Sequence, residues 1–402
     1  MPNPNGRRSP WRMPYKVSLP TRLGWVSFFN DCSSEVIARA LPLFLSAGLG
    51  MSPTFVGVVE GTAEAVSLFL RGFSGWLSDR MASRKPLVVL GYSLSVLSRI
   101  LLLAINLPIF YGFARILDRT GKGMRSAPRD ALVADAAKAG TSGKAFGMTR
   151  FLDTLGAVTG ITIILALGVG RDRVDHEVFR QCVLVAIPFG VISLLLLLFW
   201  VPKTLRLTKA KTYLSWHIPR EVRSYLIAVG LFSLGNSSDA FLVLRAHELG
   251  YAFPQILALM MGFNMLAALL SIPVGILSDR IGRLKLLGLG WLSYAFCYLA
   301  IAHLTSALGF GVAVILYGSF YGFTEGTEKA LLSDILPPEK RGAGYGALQL
   351  VLGVTSLPAS LLTGWLMTSF GSKVAFSVAA IFPILGVLVL LVIGTIRSKE
   401  CR

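Results

Sequence analysis

The sequence predicts an all-α integral membrane protein of about twelve transmembrane helices, arranged as two pseudo-symmetric six-helix bundles. Three observations predict this class. Of the 402 residues, 54% are hydrophobic and only 15% are charged, whereas soluble domains carry about 25% charged residues. The apolar residues form blocks of about 20 or more, the length of a helix that spans a bilayer. Short segments of the first half also recur in the second half in the same order, which indicates a duplication.

The apolar blocks, taken in order, predict the individual membrane helices. In lipid, only helices and closed barrels satisfy all backbone polar groups. Long uninterrupted apolar runs favour helices over the short alternating strands of barrels. The predicted helices span residues 20–46, 52–77, 86–107, 108–137, 144–169, 178–201, 222–249, 253–277, 284–304, 306–335, 343–370 and 372–396.

The distribution of Lys and Arg predicts the orientation. Basic residues concentrate in the tails, the central linker and the short loops on the same side, where they favour the cytoplasm. We therefore attribute the formal charge of +18 to topology rather than to nucleic acid binding, and we expect both termini in the cytoplasm. Short loops and small tails favour a bacterial inner membrane. The predicted domains are a tail at 1–19, a six-helix bundle at 20–201, a linker at 202–221, a second bundle at 222–396 and a tail at 397–402.

The duplication is most evident between the second and third helices of each half. Gly75-Trp76-Leu77-Ser78-Asp79-Arg80 recurs 200 residues later as Gly275-Ile276-Leu277-Ser278-Asp279-Arg280. With Arg84-Lys85-Pro86, the first copy resembles the cytoplasmic signature of the major facilitator superfamily. The resemblance covers nearly the whole chain and implies two six-helix bundles that carry a solute by alternating access. We expect a conformational latch, with a static topology anchor as the alternative, at Gly75, Asp79, Arg80, Arg84, Gly275, Asp279, Arg280 and Arg283.

Charged residues inside the predicted helices are the best indicators of a site, because each costs about 2.5–3.5 kcal/mol on insertion scales. The first helix carries Asp31, Glu35 and Arg39 at steps of four, on one helical face. The second carries Glu60 and Glu64, also four apart. These groups predict a substrate or proton pathway. The alternative is that they neutralise one another within the packing.

The fourth helix carries a basic stripe that a lipid-facing surface would not tolerate. The stripe consists of Arg115, Arg119, Lys122, Arg125 or Ser126, and Arg129 at steps of three or four residues, and Asp118 lies beside it. The stripe resembles the superfamily's fourth-helix motif, which implies a role for Arg115 in proton coupling or substrate binding. The chain departs from that motif at Asp118, where the family often has glutamine, and at Arg119, where it has glycine.

The tenth helix carries charges of the opposite sign at matching places. Glu328 replaces Arg129 at the repeat offset, and Glu325 and Lys329 flank it. We therefore predict that Arg129 and Glu328 pair across the pseudo-twofold axis in one closed state of the molecule.

Two further groups complete the predicted pathway. Arg150 and Asp153 lie on the fifth helix, whose Gly147, Gly156 and Gly160 resemble part of a motif found in antiporters; a packing seam is the alternative. The seventh helix has a polar run in its middle, which predicts a cavity wall or local unwinding. Its members in the predicted pathway are Asn236, Asp239 and Arg245.

The function predicted from these features is secondary active transport of a small solute, coupled to protons and directed towards efflux by antiport. No GxxxxGK[ST] loop is present, so ATP drive within the chain is not supported. We expect no enzyme activity, cofactor or metal, and a monomer whose partners are the solute, protons and the lipid bilayer. The alternatives are proton-coupled uptake of an organic anion, a non-transporting receptor or membrane enzyme on the same scaffold, and a channel.

Overall fold

The computed structural model describes residues 17–104, 107–136, 142–167, 174–203, 222–336 and 341–400, and these residues are predominantly helical. The helices are α1 (Leu19–Leu43), α2 (Pro53–Arg80), α3 (Lys85–Ala104), α4 (Pro108–Ala136), α5 (Ser142–Ala166), α6 (His176–Phe199), α7 (Arg223–Gly235), α8 (Ala240–Glu248), α9 (Phe253–Ile281), α10 (Arg283–His303), α11 (Ala307–Ile335), α12 (Arg341–Phe370) and α13 (Ser372–Glu400). A π-helical turn, Phe44–Gly48, extends α1. The predicted segment ends differ from these bounds by at most four residues.

Ten of these segments are long and apolar enough to cross a membrane, with α7 and α8 counted as one segment. The other two, α1 and α4, have 25 and 29 residues but carry too many charges to meet the same criterion. Both helices are long enough to span a bilayer, and both pack against spanning helices, α1 against α5 and α6 and α4 against α2 and α3. They are therefore the first and fourth of twelve membrane segments. The predicted fold class is therefore confirmed.

Local sequence signals explain where the segments begin and turn. Side-chain oxygens of Ser18, Ser52 and Ser306 accept backbone N–H groups at the first turns of α1, α2 and α11, which satisfies donors that a helix start leaves unpaired. Gly50 and Gly250 follow the first segment of each half with φ of 67° and 85°. Glycine adopts this left-handed backbone without steric strain, and the two positions lie 200 residues apart, as the duplication predicts.

The seventh membrane segment is interrupted at residues 236–239, between α7 and α8. The polar run in its middle predicts this local unwinding. Ser238 replaces part of the missing helical bonding, because its backbone N–H donates to Ser360 Oγ at 3.4 Å and its own Oγ accepts from the N–H of Ala240 at 3.3 Å.

The two halves meet along α2 and α12, the pair of helices in most extensive contact. We call the membrane face where α6 ends and α7 begins the linker face, and the opposite face the distal face. On the distal side, the Oγ1 atoms of Thr54 and Thr368 lie 2.8 Å apart, and a Cβ added to Gly57 would overlap the Ser360 carbonyl.

Towards the linker face the same two helices diverge. A Cβ added to Gly72 on α2 or to Gly346 on α12 would meet nothing within 4 Å. The cleft between the halves is therefore closed at the distal face and open towards the linker face, and Arg39, Glu60 and Arg115, which are near the distal ends of α1, α2 and α4, lie at its closed end.

Candidate functional site

Two carboxylates of α2 face two arginines of α4 and form the base of the site. Arg115 donates to both oxygens of Glu60, from Nε at 2.8 Å and from Nη2 at 2.9 Å. One turn closer to the linker face, Arg119 lies 3.6 Å from Glu64. The Glu60 and Arg115 side chains are both about 95% buried, and burial removes the water that stabilises each charge. The two parallel hydrogen bonds between them compensate part of that cost.

The break in the seventh segment meets this base from the other half. Ser238 Oγ donates to Glu60 Oε2 at 3.4 Å. Next to it, Asp239 accepts hydrogen bonds from the hydroxyls of Tyr317 at 3.2 Å and Tyr321 at 3.4 Å. Unwinding thus brings a hydroxyl and a carboxylate of the second half to the charges of the first.

Arg39 of α1 joins the two halves directly. Its guanidinium lies 3.3 Å from Glu35, one helical turn away, and 3.9 Å from Asp239 in the other half. It also lies over the Phe263 ring, 5.8 Å from the ring centroid, a cation–π distance. Glu35 and Asp239 remain 28% and 23% exposed, so one buried arginine is shared by two carboxylates that water reaches.

A second group of charges lies between α3 and α4. Arg99 is 2% exposed; its Nη2 donates to Ser34 Oγ at 2.8 Å and lies 3.9 Å from Asp118. Its Nη1 and Asp118 Oδ1 are buried without a hydrogen bond, and both residues line a cavity of about 10 Å³. Such a cavity holds about one water molecule. The sequence analysis did not single out Arg99, although a lone arginine inside the predicted third helix is the same signal used elsewhere.

The basic stripe of α4 therefore divides between two neighbours. Arg115, Arg119 and Lys122 lie on the α2 side. Arg125 instead donates to Ser95 Oγ at 2.7 Å and lies 4.8 Å from the Tyr92 ring centroid, both on α3. It is 7% exposed. In this conformation Arg125 packs against α3, because α3 approaches α4 closely enough at Gly91 and Gly121 to enclose the side chain. Its place in the pathway stays a prediction.

A third group lies nearer the linker face. Arg129 contacts Asp153 at 3.4 Å, Asp130 at 3.2 Å and also Ser27. Asp31 on α1 accepts from Asn30 at 3.2 Å, and Arg150 is exposed on α5. Glu328 accepts from the Tyr225 hydroxyl at 3.1 Å. Arg129 and Glu328 do not contact each other in this open cleft, and their pairing remains a prediction for the opposite state. The side chains of Glu325 and Lys329 lie outside the described part.

The predicted latch residues form contacts within each half. Arg84 bridges Asp79 at 2.6 Å and Asp135 at 2.5 Å, and Arg283 pairs with Asp334 at the matching place in the repeat. Arg80 lies over the Trp76 ring at 4.1 Å and Arg280 is exposed. Gly75 faces Ala127, whereas Gly275 has open space beside it. The side chain of Asp279 is outside the described residues.

The remaining predicted residues lie at the distal end or in the packing. Arg245 pairs with Glu248 at 3.2 Å, and Glu248 accepts from Ser372. Asn236 ends α7. On α5, a Cβ at Gly156 or Gly160 would overlap a carbonyl of α1, so these two glycines form a close packing seam. In the described residues, no group of three His, Cys, Asp or Glu side chains is placed to hold a metal ion.

Sequence comparisons identify a family and individual relatives of this chain. The family model of the Major Facilitator Superfamily matches residues 23–243 and 225–400. An uncharacterized MFS-type transporter of Methanocaldococcus jannaschii is 33% identical over 379 residues, which cover 92% of this chain and 94% of the relative. The multidrug resistance protein MdtH of Blochmanniella pennsylvanica is 25% identical over 154 residues, 37% of this chain and 38% of that protein.

Solved structures share the fold at low sequence identity. The nucleoside transporter NupG superposes with a TM-score of 0.75 at 12% identity, covering 94% of this chain and 99% of that chain. A human organic anion transporter gives a TM-score of 0.67 at 15% identity and covers 92% of this chain and 98% of that chain. At these identities the comparison concerns the architecture, which both proteins share with this chain.

Proposed function

The chain belongs to the major facilitator superfamily and is a membrane transporter; from this premise we propose that it carries a small solute by alternating access, coupled to the movement of protons. Its family and fold indicate a transporter rather than an enzyme. Proton coupling rests on the charges described above, and the same proposal assigns the direction of transport to efflux, in exchange for protons.

The contact of Arg39 with Glu35 and Asp239 is the observation that supports proton coupling. The two carboxylates belong to different halves and share one buried guanidinium. Protonation of Asp239 removes its attraction to Arg39, which joins the two halves. Protonation of Glu35 releases Arg39 from its partner on the same helix. Either proton therefore changes the contact between the halves and shifts the balance between two states of the cleft. Both carboxylates are partly exposed, so protons can reach them from the open cleft.

A second direction of transport is also supported by a specific observation. Cationic side chains outnumber carboxylates between α2 and α4, where Glu64 lies among Arg71, Arg119 and Lys122. This surplus favours proton-coupled uptake of an organic anion. For either direction of transport, we propose a monomer in a bacterial inner membrane, with the linker face towards the cytoplasm. The two six-helix bundles are proposed to span residues 20–201 and 222–396.

Glu35→Gln in proteoliposomes tests the coupling. A solute is first identified by its thermal stabilisation of the purified protein. Glutamine cannot release a proton and mimics the protonated carboxyl, so solute exchange without a gradient should persist. Accumulation driven by a pH gradient should fall about tenfold or more, the effect of about 1.4 kcal/mol of lost coupling. Glu177→Gln is the matched control, because Glu177 is 64% exposed in a weak pair with Arg180.

The outcomes separate the proposed function from its alternatives. An unchanged pH dependence in Glu35→Gln removes Glu35 from coupling. Binding of a solute without any flux would instead indicate a receptor, and current far above carrier turnover would indicate a channel.

A further inference from the structure

Charged side chains of α2 face charged side chains of α4 in successive positions, which we call rungs. Towards the linker face the rungs change from an acid opposite an arginine to two cations. The first two rungs are Glu60–Arg115 and Glu64–Arg119, each an acid on α2 opposite an arginine on α4. The partners are 55 residues apart in both pairs. The two helices keep one register over these two pairs. We call the next charged position on each helix, Arg71 on α2 and Lys122 on α4, the third rung; these two residues are 51 apart, four residues (about one helical turn) out of that register.

The third rung contains two cations. On α2 the same face continues to Arg71, seven residues after Glu64, and on α4 to Lys122, three residues after Arg119. These spacings keep the side chains on the facing sides of the helices. Among the described residues, neither Arg71 nor Lys122 has a carboxylate within ion-pair distance, and Arg71 Nε is buried without any hydrogen-bond partner.

The local charge balance is correspondingly positive. Lys122 is surrounded by Arg119, Arg71 and Arg125, with Glu64 as the opposing charge. Glu64 in turn is attracted by Arg119, Lys122 and Arg71. Glu35 also acts on Lys122 and Arg119, but its ion pair is with Arg39. Among the described residues, Glu64 is therefore the one carboxylate within ion-pair distance of any of these three cations, at membrane depth, where an uncompensated charge is expensive. The same side chains are only half-buried, and they lie on the side from which the cleft is open.

We propose that Arg71, Arg119 and Lys122 form a binding site for an oxyanion, the carboxylate or phosphate group of the transported solute. The solute supplies the negative charge that the third rung lacks. Since Glu64 already offsets one of the three positive charges, the site best fits a group of two negative charges, such as a phosphate monoester or a dicarboxylate. Arginine offers several N–H donors to such a group, and Lys122 adds a point charge. The proposal rests on the proposed function, because it names the substrate class of the same cleft.

Binding of succinate and of inorganic phosphate to the purified full-length protein tests the site without any pH gradient. Both anions should bind at low ionic strength, measured by calorimetry and by thermal stabilisation. Arg71→Gln and Lys122→Gln should each weaken binding about tenfold or more, since each removes one charge-assisted contact. Lys122→Arg should retain binding. Arg180→Gln is the matched control, because Arg180 is 67% exposed near the distal face and its loss should leave affinity unchanged.

A lipid phosphate is the other source of the same chemistry. Nanodiscs of phosphatidylcholine alone and nanodiscs with phosphatidylglycerol distinguish the two sources. Succinate affinity that is equal in both lipids supports a solute site, whereas binding that phosphatidylglycerol abolishes would overturn it in favour of a lipid site.

Two results overturn the proposal outright: no binding of either anion to the wild-type protein, or equal affinity in the wild type, Arg71→Gln and Lys122→Gln. Because these measurements use no gradient, loss of coupling in Glu35→Gln would not bear on the site. A protein that exchanges a neutral or cationic solute and binds neither anion would retain the proposed function and lose this inference.

Discussion

Arg115 shows how a charge is retained deep in this membrane protein. Its guanidinium and the carboxylate of Glu60 are matched at two points, and Ser238 of the other half donates to the same carboxylate. A buried pair of this kind adds little net stability compared with apolar residues, but removing one partner leaves an uncompensated charge. Removal of Glu60 or Arg115 alone should therefore cost more stability than the intact pair adds.

Glu60→Gln should lower the free energy of unfolding by about 3–5 kcal/mol, the range found when one partner of a buried ion pair is removed. The reason is that Arg115 keeps its charge in a site that is about 95% buried. Chemical denaturation in detergent micelles measures the change. Glu177→Gln should change it by about 0–1 kcal/mol, as for exposed pairs. Equal stability of Glu60→Gln and wild type would show that the pair is not closed as described.

Residue-scale contacts were predictable from the sequence only where they are local. Glu35 and Arg39 lie one turn apart on α1, so their pairing follows from helical geometry. Arg39–Asp239 and Arg99–Asp118 join different helices, and no spacing in the sequence gives the rotation of one helix against another. For the same reason, the sequence did not show that Arg125 of α4 contacts Ser95 and Tyr92 of α3.

At the scale of elements, the highly charged helix α4 also approaches both of its neighbours closely. A Cβ at Gly123 of α4 would overlap the α2 backbone near Ser67, and one at Gly121 would approach α3. Close approach lets short distances form between charged side chains of neighbouring helices. The glycines of α4 bring its neighbours close, and its charged side chains pair with theirs, so together they form a polar core within the first bundle.

Gly57→Ala tests how tightly α2 must pack on α12 to close the distal face. The new Cβ would overlap the Ser360 carbonyl, so the closed arrangement should lose about 1–3 kcal/mol, as for overpacking. A cysteine placed at Thr54 should then react faster with a membrane-impermeant reagent from the distal side. Gly72→Ala on the same helix has open space and should leave that rate unchanged. Equal rates in both variants would contradict a tight distal seam.

The sequence predicted the elements well, because element length and type depend on local composition. Apolar block lengths gave the helices, and the polar run at 236–239 gave the break in the seventh segment. We assigned α1 and α4 as membrane segments in spite of their charges, because both helices are long enough to span a bilayer and because the order of the other segments requires them. The glycines of α5 were less informative: the structure shows Gly156 and Gly160 packing on α1, a role that spacing alone does not distinguish from a motif of antiporters.

At the scale of the whole molecule, the duplication is visible in side-chain contacts as well as in the chain. Arg84–Asp135 recurs as Arg283–Asp334, with both partners shifted by 199 residues. Each of these pairs joins helices of one half, so each bundle has its own brace on the linker side. Such a brace within each bundle fits the proposed alternating access, in which the bundles would move as units while the contacts between them change.

The sequence did not predict towards which membrane face the cleft is open. Two homologous halves imply that the cleft can open to either side, but composition does not decide which contacts form first. The structure has the distal side joined by Arg39–Asp239 and by the seam of α2 and α12. The pairing of Arg129 with Glu328 stays a prediction for the opposite state, in which the linker side would be closed.

A reversible disulfide between cysteines at positions 54 and 368 tests alternating access most directly. The Oγ1 atoms of Thr54 and Thr368 lie 2.8 Å apart across the two halves, within reach of a disulfide. The variant Thr54→Cys with Thr368→Cys, in a chain without its four native cysteines, should cross-link readily on oxidation. Transport in proteoliposomes should then stop and return on reduction, while Thr54→Cys alone should be unaffected. Cross-linked protein that transports at the rate of the reduced protein would contradict the account.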